Sequence, residues 1–216
     1  MTCSNCGFME WTGSSELLVD MEGHGREDLF PDLDCSRTAG WFTALYPVLL
    51  RGESQASPVQ ALRAVKEQLR AIPLRGLGYG LARYIRRDAE VLAQPAAEVL
   101  FNYLGQTDRV LTAGDAWKPL LGLNGPEVSS ANRRSHLLDV NGIVSGGQLT
   151  MTWTFSANMY DRATIERLAQ RYSGILGALV DSCQTADSPA WTPSDFPGAR
   201  LDQGQLDALI AGMGNS

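Results

Sequence analysis

The chain of 216 residues is 44% hydrophobic and 19% charged, which suits one sizeable apolar core or one lobe of a larger domain and excludes disorder over most of its length. Its 18 basic and 24 acidic residues give a formal net charge of −6, and no dense run of Lys and Arg is present to neutralise phosphates, so nucleic acid and an anionic membrane surface are not expected partners. No stretch approaches the roughly 20 consecutive apolar residues of a membrane span, and Met1 to Glu10 lacks a charged start followed by an apolar run, so a soluble cytoplasmic protein is expected. The four cysteines Cys3, Cys6, Cys35 and Cys183 are too few and too scattered for a disulfide framework. Cys3 and Cys6 form a C-x-x-C, but no second pair or His-x-x-x-His completes the four ligands of a zinc site, and no metal is expected.

In chain order, Leu17-Leu18-Val19-Asp20-Met21 is a short apolar run leading into Glu22-Gly23-His24-Gly25-Arg26-Glu27, a buried strand ending in a glycine-punctuated loop. Strand ends of this kind often carry functional side chains. Residues 37–43 and 45–50 are rich in aromatic and β-branched side chains and predict strand, with Pro47 favouring an edge or an interruption. From Pro58 to Ala71 the spacing of Val59, Leu62, Val65 and Leu69 predicts a helix, with Ser57 as its cap, Pro58 in its first turn and Pro73 beyond its end. Gly76, Gly78 and Gly80 make the next stretch too flexible to start a helix without a packing reason, and a helical pattern resumes over 81–90. These glycines lack both the Walker Lys-Ser/Thr and the dinucleotide-binding spacing.

Val99 to Leu104 is an apolar run interrupted by Asn102 and followed by Gly105, which predicts a buried strand. Residues 136–144 and 149–155, across the turn Ser145-Gly146-Gly147, predict a hairpin in which Leu149, Met151, Trp153 and Phe155 line one face. Residues 161–183 place Ile165, Leu168, Tyr172, Ile175, Leu176, Leu179 and Cys183 on one stripe, a long helix on a sheet with Cys183 as a core thiol. The tail from Thr185 is rich in Pro, Ser and Asp, and Leu201, Leu206, Leu209 and Ile210 allow a short closing helix. Strands mixed with helices argue for an α/β arrangement, a sheet covered by helices.

Several segments in this order resemble the epimerisation domains of nonribosomal peptide synthetases. They are Glu22 to Glu27, Arg37-Thr38-Ala39-Gly40-Trp41-Phe42-Thr43 with Tyr46-Pro47, Pro73 with Gly76-x-Gly78-Tyr79-Gly80, Phe101-Asn102-Tyr103-Leu104-Gly105, and Thr192-Pro193-Ser194-Asp195-Phe196-Pro197. The resemblance runs from about Glu10 to near Leu209, leaving 1–9 unmatched, 10–184 as the lobe and 185–216 as the closing segment. Ala39 stands where the family usually has Val, and the family's His-His-x-x-x-Asp-Gly motif is absent, since the two histidines, His24 and His136, are far apart.

The resemblance implies the C-terminal lobe of a two-lobed, chloramphenicol-acetyltransferase-like domain. Its tunnel would receive an aminoacyl or peptidyl thioester on the phosphopantetheine arm of a peptidyl carrier protein, with no cofactor bound directly, and the lobe is expected to be inactive without its N-terminal partner. The related condensation domains generally show a Gly-Pro-Phe-type sequence at Gly40 to Thr43 and lack the Glu-Gly-His-Gly-Arg-Glu segment, which favours epimerisation. Half of a condensation domain and a non-catalytic carrier-docking fragment are the alternatives.

Inverting an α-carbon requires an acid/base group on each face of a planar enolate. Glu22, at a strand end and freed of bulk by Gly23, is the candidate for one face, against the alternative of a solvated loop carboxylate. The family's other group is the His of the absent motif. Asn102 is a candidate donor to the enolate oxygen, or else a ladder Asn satisfied by backbone. Tyr103 is a candidate for positioning the arm or donating a proton, or else an aromatic core residue, and the strand's alternation lets only one of the two point into the tunnel. His24 is expected to hold the loop, and Arg26 and Glu27 to pair with each other or to orient Glu22.

Overall fold

The computed structural model describes residues 7–8, 11–27, 31–52, 56–107, 129, 132–185 and 190–213; Cys3 and Cys6 lie outside them. Alternating apolar residues build five strands: β1 Glu16–Gly23, β2 Ala44–Arg51, β3 Val99–Gln106, β4 Leu138–Ser145 and β5 Gln148–Phe155. They form one mixed sheet in the order β2-β1-β3-β4-β5. The outer pairs β1–β2 and β4–β5 are antiparallel, whereas β1–β3 and β3–β4 are parallel. Pro47 sits opposite Asp20 in the edge strand β2, where a missing ladder donor is tolerated. The β4–β5 hairpin closes through Gly146 and Gly147, at φ 60° and 71°, the pair of left-handed residues that a tight hairpin turn demands.

One sheet face carries the core. Val19, Val48, Leu50, Phe101, Leu138 and Val140 are buried against Val65 of helix α1 (Pro58–Arg70) and Ile165 and Leu168 of a long helix, Arg162–Thr185. A fully buried aliphatic such as Leu50 contributes roughly 1.5–3 kcal/mol relative to an exposed one, so this face dominates the stability of the lobe. Helix α1 begins as expected: Ser57 and Gln60 form a reciprocal capping box, and Pro58 occupies the first turn.

The sequence expectation differs from the fold at four places. Residues 37–43 form no strand, because the carbonyls of Thr38 and Gly40 are taken by the Arg26 guanidinium rather than by a neighbouring strand. Gly78 and Gly80 lie in helical turns after all, α2 (Leu77–Gly80) and a π turn Leu81–Arg86, preceded by a turn Pro73–Gly76 in which Leu74, Arg75 and Gly76 are left-handed at φ 49°, 49° and 84°. The packing reason is Tyr46: a Cβ on Gly76, at φ 84°, would lie 2.1 Å from its ring. Left-handed Arg87 ends this run before the one-turn α3 (Ala89–Leu92). Strand β3 does not stop at Gly105 but continues to Gln106 through a bulge, with Gly105 at φ 81°. In the long helix, here α4, Leu179 is the last buried residue of the apolar stripe, and Cys183 in the final turns is exposed rather than a core thiol.

The tail is fastened to α1. Thr192 is fully buried, and its backbone N–H donates to Asp195 Oδ2 at 2.9 Å in a capping box around the 3₁₀ turn Pro193–Asp195. Asp195 also accepts from Lys66 Nζ and, at 2.7 Å, from Arg70, while Ser194 Oγ donates to Glu67. Hydrogen bonds from Lys66, the Thr192 backbone and Arg70 hold the Asp195 carboxyl well below the usual carboxylate range. Helix α5 (Gln203–Met213) follows, with Leu206 buried. Among the described residues no helix is long and apolar enough to cross a membrane.

Candidate functional site

The second sheet face is polar, and it is built by the residues that alternate with the core. Asp20 and Glu22 of β1 stand on it beside Asn102 of β3, Asp139 and Asn141 of β4, and Thr152 and Thr154 of β5. Cross-strand register lines them up in two rows: Asp20, Leu100, Asp139 and Thr154 in one, and Asn102, Asn141 and Thr152 in the other, with Glu22 next to Asn102. On β2 the neighbours of Asp20 and Glu22 are Pro47 and Leu45, neither of which can carry charge.

Glu22 is the penultimate residue of β1, just before the loop. Its Oε2 accepts a hydrogen bond from Asn102 Nδ2 at 2.9 Å, so the expected acid/base carboxylate and the expected amide donor are brought into direct contact. Partial burial pushes the Glu22 carboxyl above its ordinary value; His136 opposes that shift and Asp139 adds to it. Asn102 spends one amide hydrogen on Glu22 and keeps a second for another acceptor. Tyr103 is placed on the opposite face: a Cβ on Gly142 would meet its ring at 3.3 Å together with the Met151 side chain, and Tyr103 is half exposed there. The structure thus joins Asn102 to Glu22 and separates Tyr103 from both.

The loop after Glu22 is self-contained. His24 accepts the Arg26 backbone N–H at Nδ1, 3.0 Å away, which leaves Nε2 as the protonated nitrogen of the neutral ring, 3.2 Å from Glu27. Glu27 lies 3.1 Å from Arg75 as well. Arg26 and Glu27 therefore neither pair with each other nor touch Glu22. Arg26 instead gathers the carbonyls of Cys35, Thr38 and Gly40 and stacks over the Phe42 ring at 4.1 Å, which fixes residues 35–42 beside the strand end. Gly25 is required at this crossing, since at φ 66° its added Cβ would lie 1.7 Å from the Phe42 carbonyl oxygen.

Sequence reasoning passed over His136, Asp20, Arg134 and Asp139. His136, almost fully buried, reaches Asp20 Oδ2 with Nε2 at 2.8 Å and meets Ser135 Oγ with Nδ1 at 3.0 Å. Arg134 pairs with Asp139, and its Nε donates to the His136 carbonyl at 3.2 Å. For Asp20 and Asp139 the signal was present in the sequence: Asp20 and Glu22, and again Asp139 and Asn141, are polar residues at spacing two inside largely apolar strands. Among the described residues, no group of three or more His, Cys, Asp or Glu side chains is arranged to hold a metal ion.

Comparison with known proteins places the chain in a family. The model of the condensation domain matches residues 1–201. One of the linear gramicidin synthase subunits of Brevibacillus parabrevis is 44% identical over 207 residues, and chondramide synthase cmdD of Chondromyces crocatus is 41% identical over 218. These matches cover 94% and 99% of this chain but 3% and 5% of those much longer proteins. Among solved structures, the epimerization domain from the third module of tyrocidine synthetase B superposes with a TM-score of 0.74 at 31% identity, over 86% of this chain and 41% of that one. The condensation domain that mediates chain release from the enacyloxin polyketide synthase superposes at 0.59 with 14% identity, over 88% of this chain and 37% of that one, which shows a shared fold. The α/β sheet with its helices is the fold of these domains, and the chain belongs to the condensation domain family.

Proposed function

We propose that this chain is the C-terminal lobe of an epimerisation domain, which inverts the α-carbon of an aminoacyl or peptidyl thioester carried on the phosphopantetheine arm of a carrier protein. The observation that carries the reading is the Glu22–Asn102 contact on the polar sheet face. A carboxyl raised by partial burial is suited to exchange a proton with a weakly acidic carbon, since its conjugate base is stronger than that of a solvated carboxylate. The Asn102 amide holds that carboxylate in one orientation, and its second N–H is free to stabilise charge developing on the thioester oxygen.

Glu22 serves one face of the α-carbon. Inversion needs a second proton-exchanging group on the other face, and the resemblance assigns it to the His-containing N-terminal lobe. The greater likeness to an epimerization domain than to a condensation-type domain supports this reaction over amide formation. The test supplies the N-terminal lobe, in cis or in trans, with an L-aminoacyl carrier and an acceptor carrier, and analyses the released products. A mixture of D- and L-residues is expected; a dipeptide without D-residue would overturn the proposal.

A further inference from the structure

Three carboxylates, Asp20, Glu22 and Asp139, stand on the polar face of the sheet, yet they are not equivalent. Asp139 is paired with Arg134. Asp20 is engaged by the buried ring of His136. Glu22 has the neutral amide of Asn102. We infer, resting on the epimerisation reading above, that His136 is a positioning residue for proton transfer: by holding Asp20 it leaves Glu22 as the one proton-exchanging carboxylate of this face.

The geometry supports the assignment in three ways. Asp20 and Glu22 are two residues apart on one strand and share a face, so an unengaged Asp20 would both repel the charge of Glu22 and compete with it for protons. His136 sits just before β4 and its ring reaches across to β1, past the intervening β3, so its position is not a by-product of local turn geometry. The ring is also fixed from behind, with Ser135 on Nδ1 and Arg134 on the backbone carbonyl. The groups around Glu22 are then accounted for strand by strand: Asp20 on β1, Asn102 on β3, Asp139 with Arg134 and His136 at β4, and the uncharged Leu45 and Pro47 on β2 and Thr152 and Thr154 on β5. His24 and Glu27, beyond the strand end, face each other.

The experiment follows α-deuterium incorporation into a carrier-bound aminoacyl thioester against pH, using the complete two-lobed domain. His136→Gln frees Asp20 beside Glu22 and also removes the direct opposition of His136 to the upward shift of Glu22, so the acid limb of the profile should move up by about one pH unit. Adding Asp20→Asn to that variant should bring the limb part of the way back, by the share that Asp20 contributes. A His136→Gln limb that stays at the wild-type position, or one that Asp20→Asn does not move back, overturns the inference, because a merely structural histidine would lower the rate without moving the limb. Asp20→Asn alone keeps the side-chain size and covers the case of a His136 variant that does not fold. It should retain exchange within about tenfold of wild type, against a loss of roughly 10²–10⁴-fold for Glu22→Gln. A loss at Asp20 as large as that at Glu22 overturns the inference. Exchange that survives Glu22→Gln instead removes the epimerisation assignment of Glu22 itself, so the two failures are distinguishable.

Discussion

Gly25→Ala is the most local perturbation that should disable the site without touching a chemical group. The added methyl would lie 1.7 Å from the carbonyl oxygen and 2.7 Å from the carbonyl carbon of Phe42, and both are backbone atoms that no rotamer change can move aside. Gly25 also holds φ at 66°, a conformation that costs an L-residue about 1–2 kcal/mol. Relieving the overlap means shifting residues 35–42 by about 1.5 Å, a form of overpacking that costs about 1–3 kcal/mol. The combined loss of about 2–5 kcal/mol corresponds to a fall of about 4–20 °C in unfolding midpoint for a chain of this size. Because Arg26 ties that segment through three carbonyls and the Phe42 ring, the strain is passed to the strand end bearing Glu22. Calorimetry and α-proton exchange on the two-lobed domain read the two consequences. Gly142→Ala is the control, since its methyl meets the flexible Met151 thioether at 2.9 Å and should cost less than about 1.5 kcal/mol. A Gly25→Ala protein with a wild-type midpoint and full exchange would refute the reasoning.

Other substitutions probe the carboxylates and the tail separately. The Glu22 carboxyl is raised in the fold, so the folded state holds its proton more tightly; any stability it contributes is present below the unfolded value of about 4.3 and lost as pH rises through the folded value. Glu22→Gln should therefore unfold at or above the wild-type temperature at pH 7, and a lower midpoint would contradict the sign. Asp195 is shifted the other way, so its stabilisation is present above about 3.9 and is lost as pH falls through the folded value. Asp195→Asn should lower the midpoint at pH 7 by loosening the tail from Lys66 and Arg70, with a difference that shrinks on acidification; equal midpoints at pH 7 would show that the tail does not depend on it. Cys183 is exposed and Cys35 half-buried, so a thiol reagent should label Cys183 before Cys35 in the native protein, and labelling of Cys183 only after unfolding would place it in the core.

The scaffold was legible in the sequence because its signals were periodic and local. The Ser57 cap with Pro58, the Gly146-Gly147 turn and the alternation from Leu149 to Phe155 each specify geometry within a few residues. Residues 37–43 misled because strand propensity says nothing about where carbonyls find donors, and Arg26 supplies those donors from a separate segment. Gly78 and Gly80 fall in helical turns that start after Gly76, a left-handed residue packed against Tyr46, which lies on a separate strand well before it in the chain. Of the candidate site, Glu22 and Asn102 stood out as candidates in their motifs, but their mutual hydrogen bond depends on the parallel register of β1 and β3. His136 carried no local signal: it precedes its strand, and its partner Asp20 lies 116 positions away in the chain.

The central claim is that Glu22, held by Asn102, exchanges the α-proton of a carrier-bound thioester. Its most direct measurement is deuterium incorporation at the α-carbon in deuterated water, comparing the wild-type chain and the Glu22→Gln variant, each joined to the N-terminal lobe. The wild-type chain should give α-deuteration and D-residue formation, and the variant, with its fold unchanged, should lose roughly 10²–10⁴-fold in inversion. Undiminished inversion by the Glu22→Gln variant would contradict the claim.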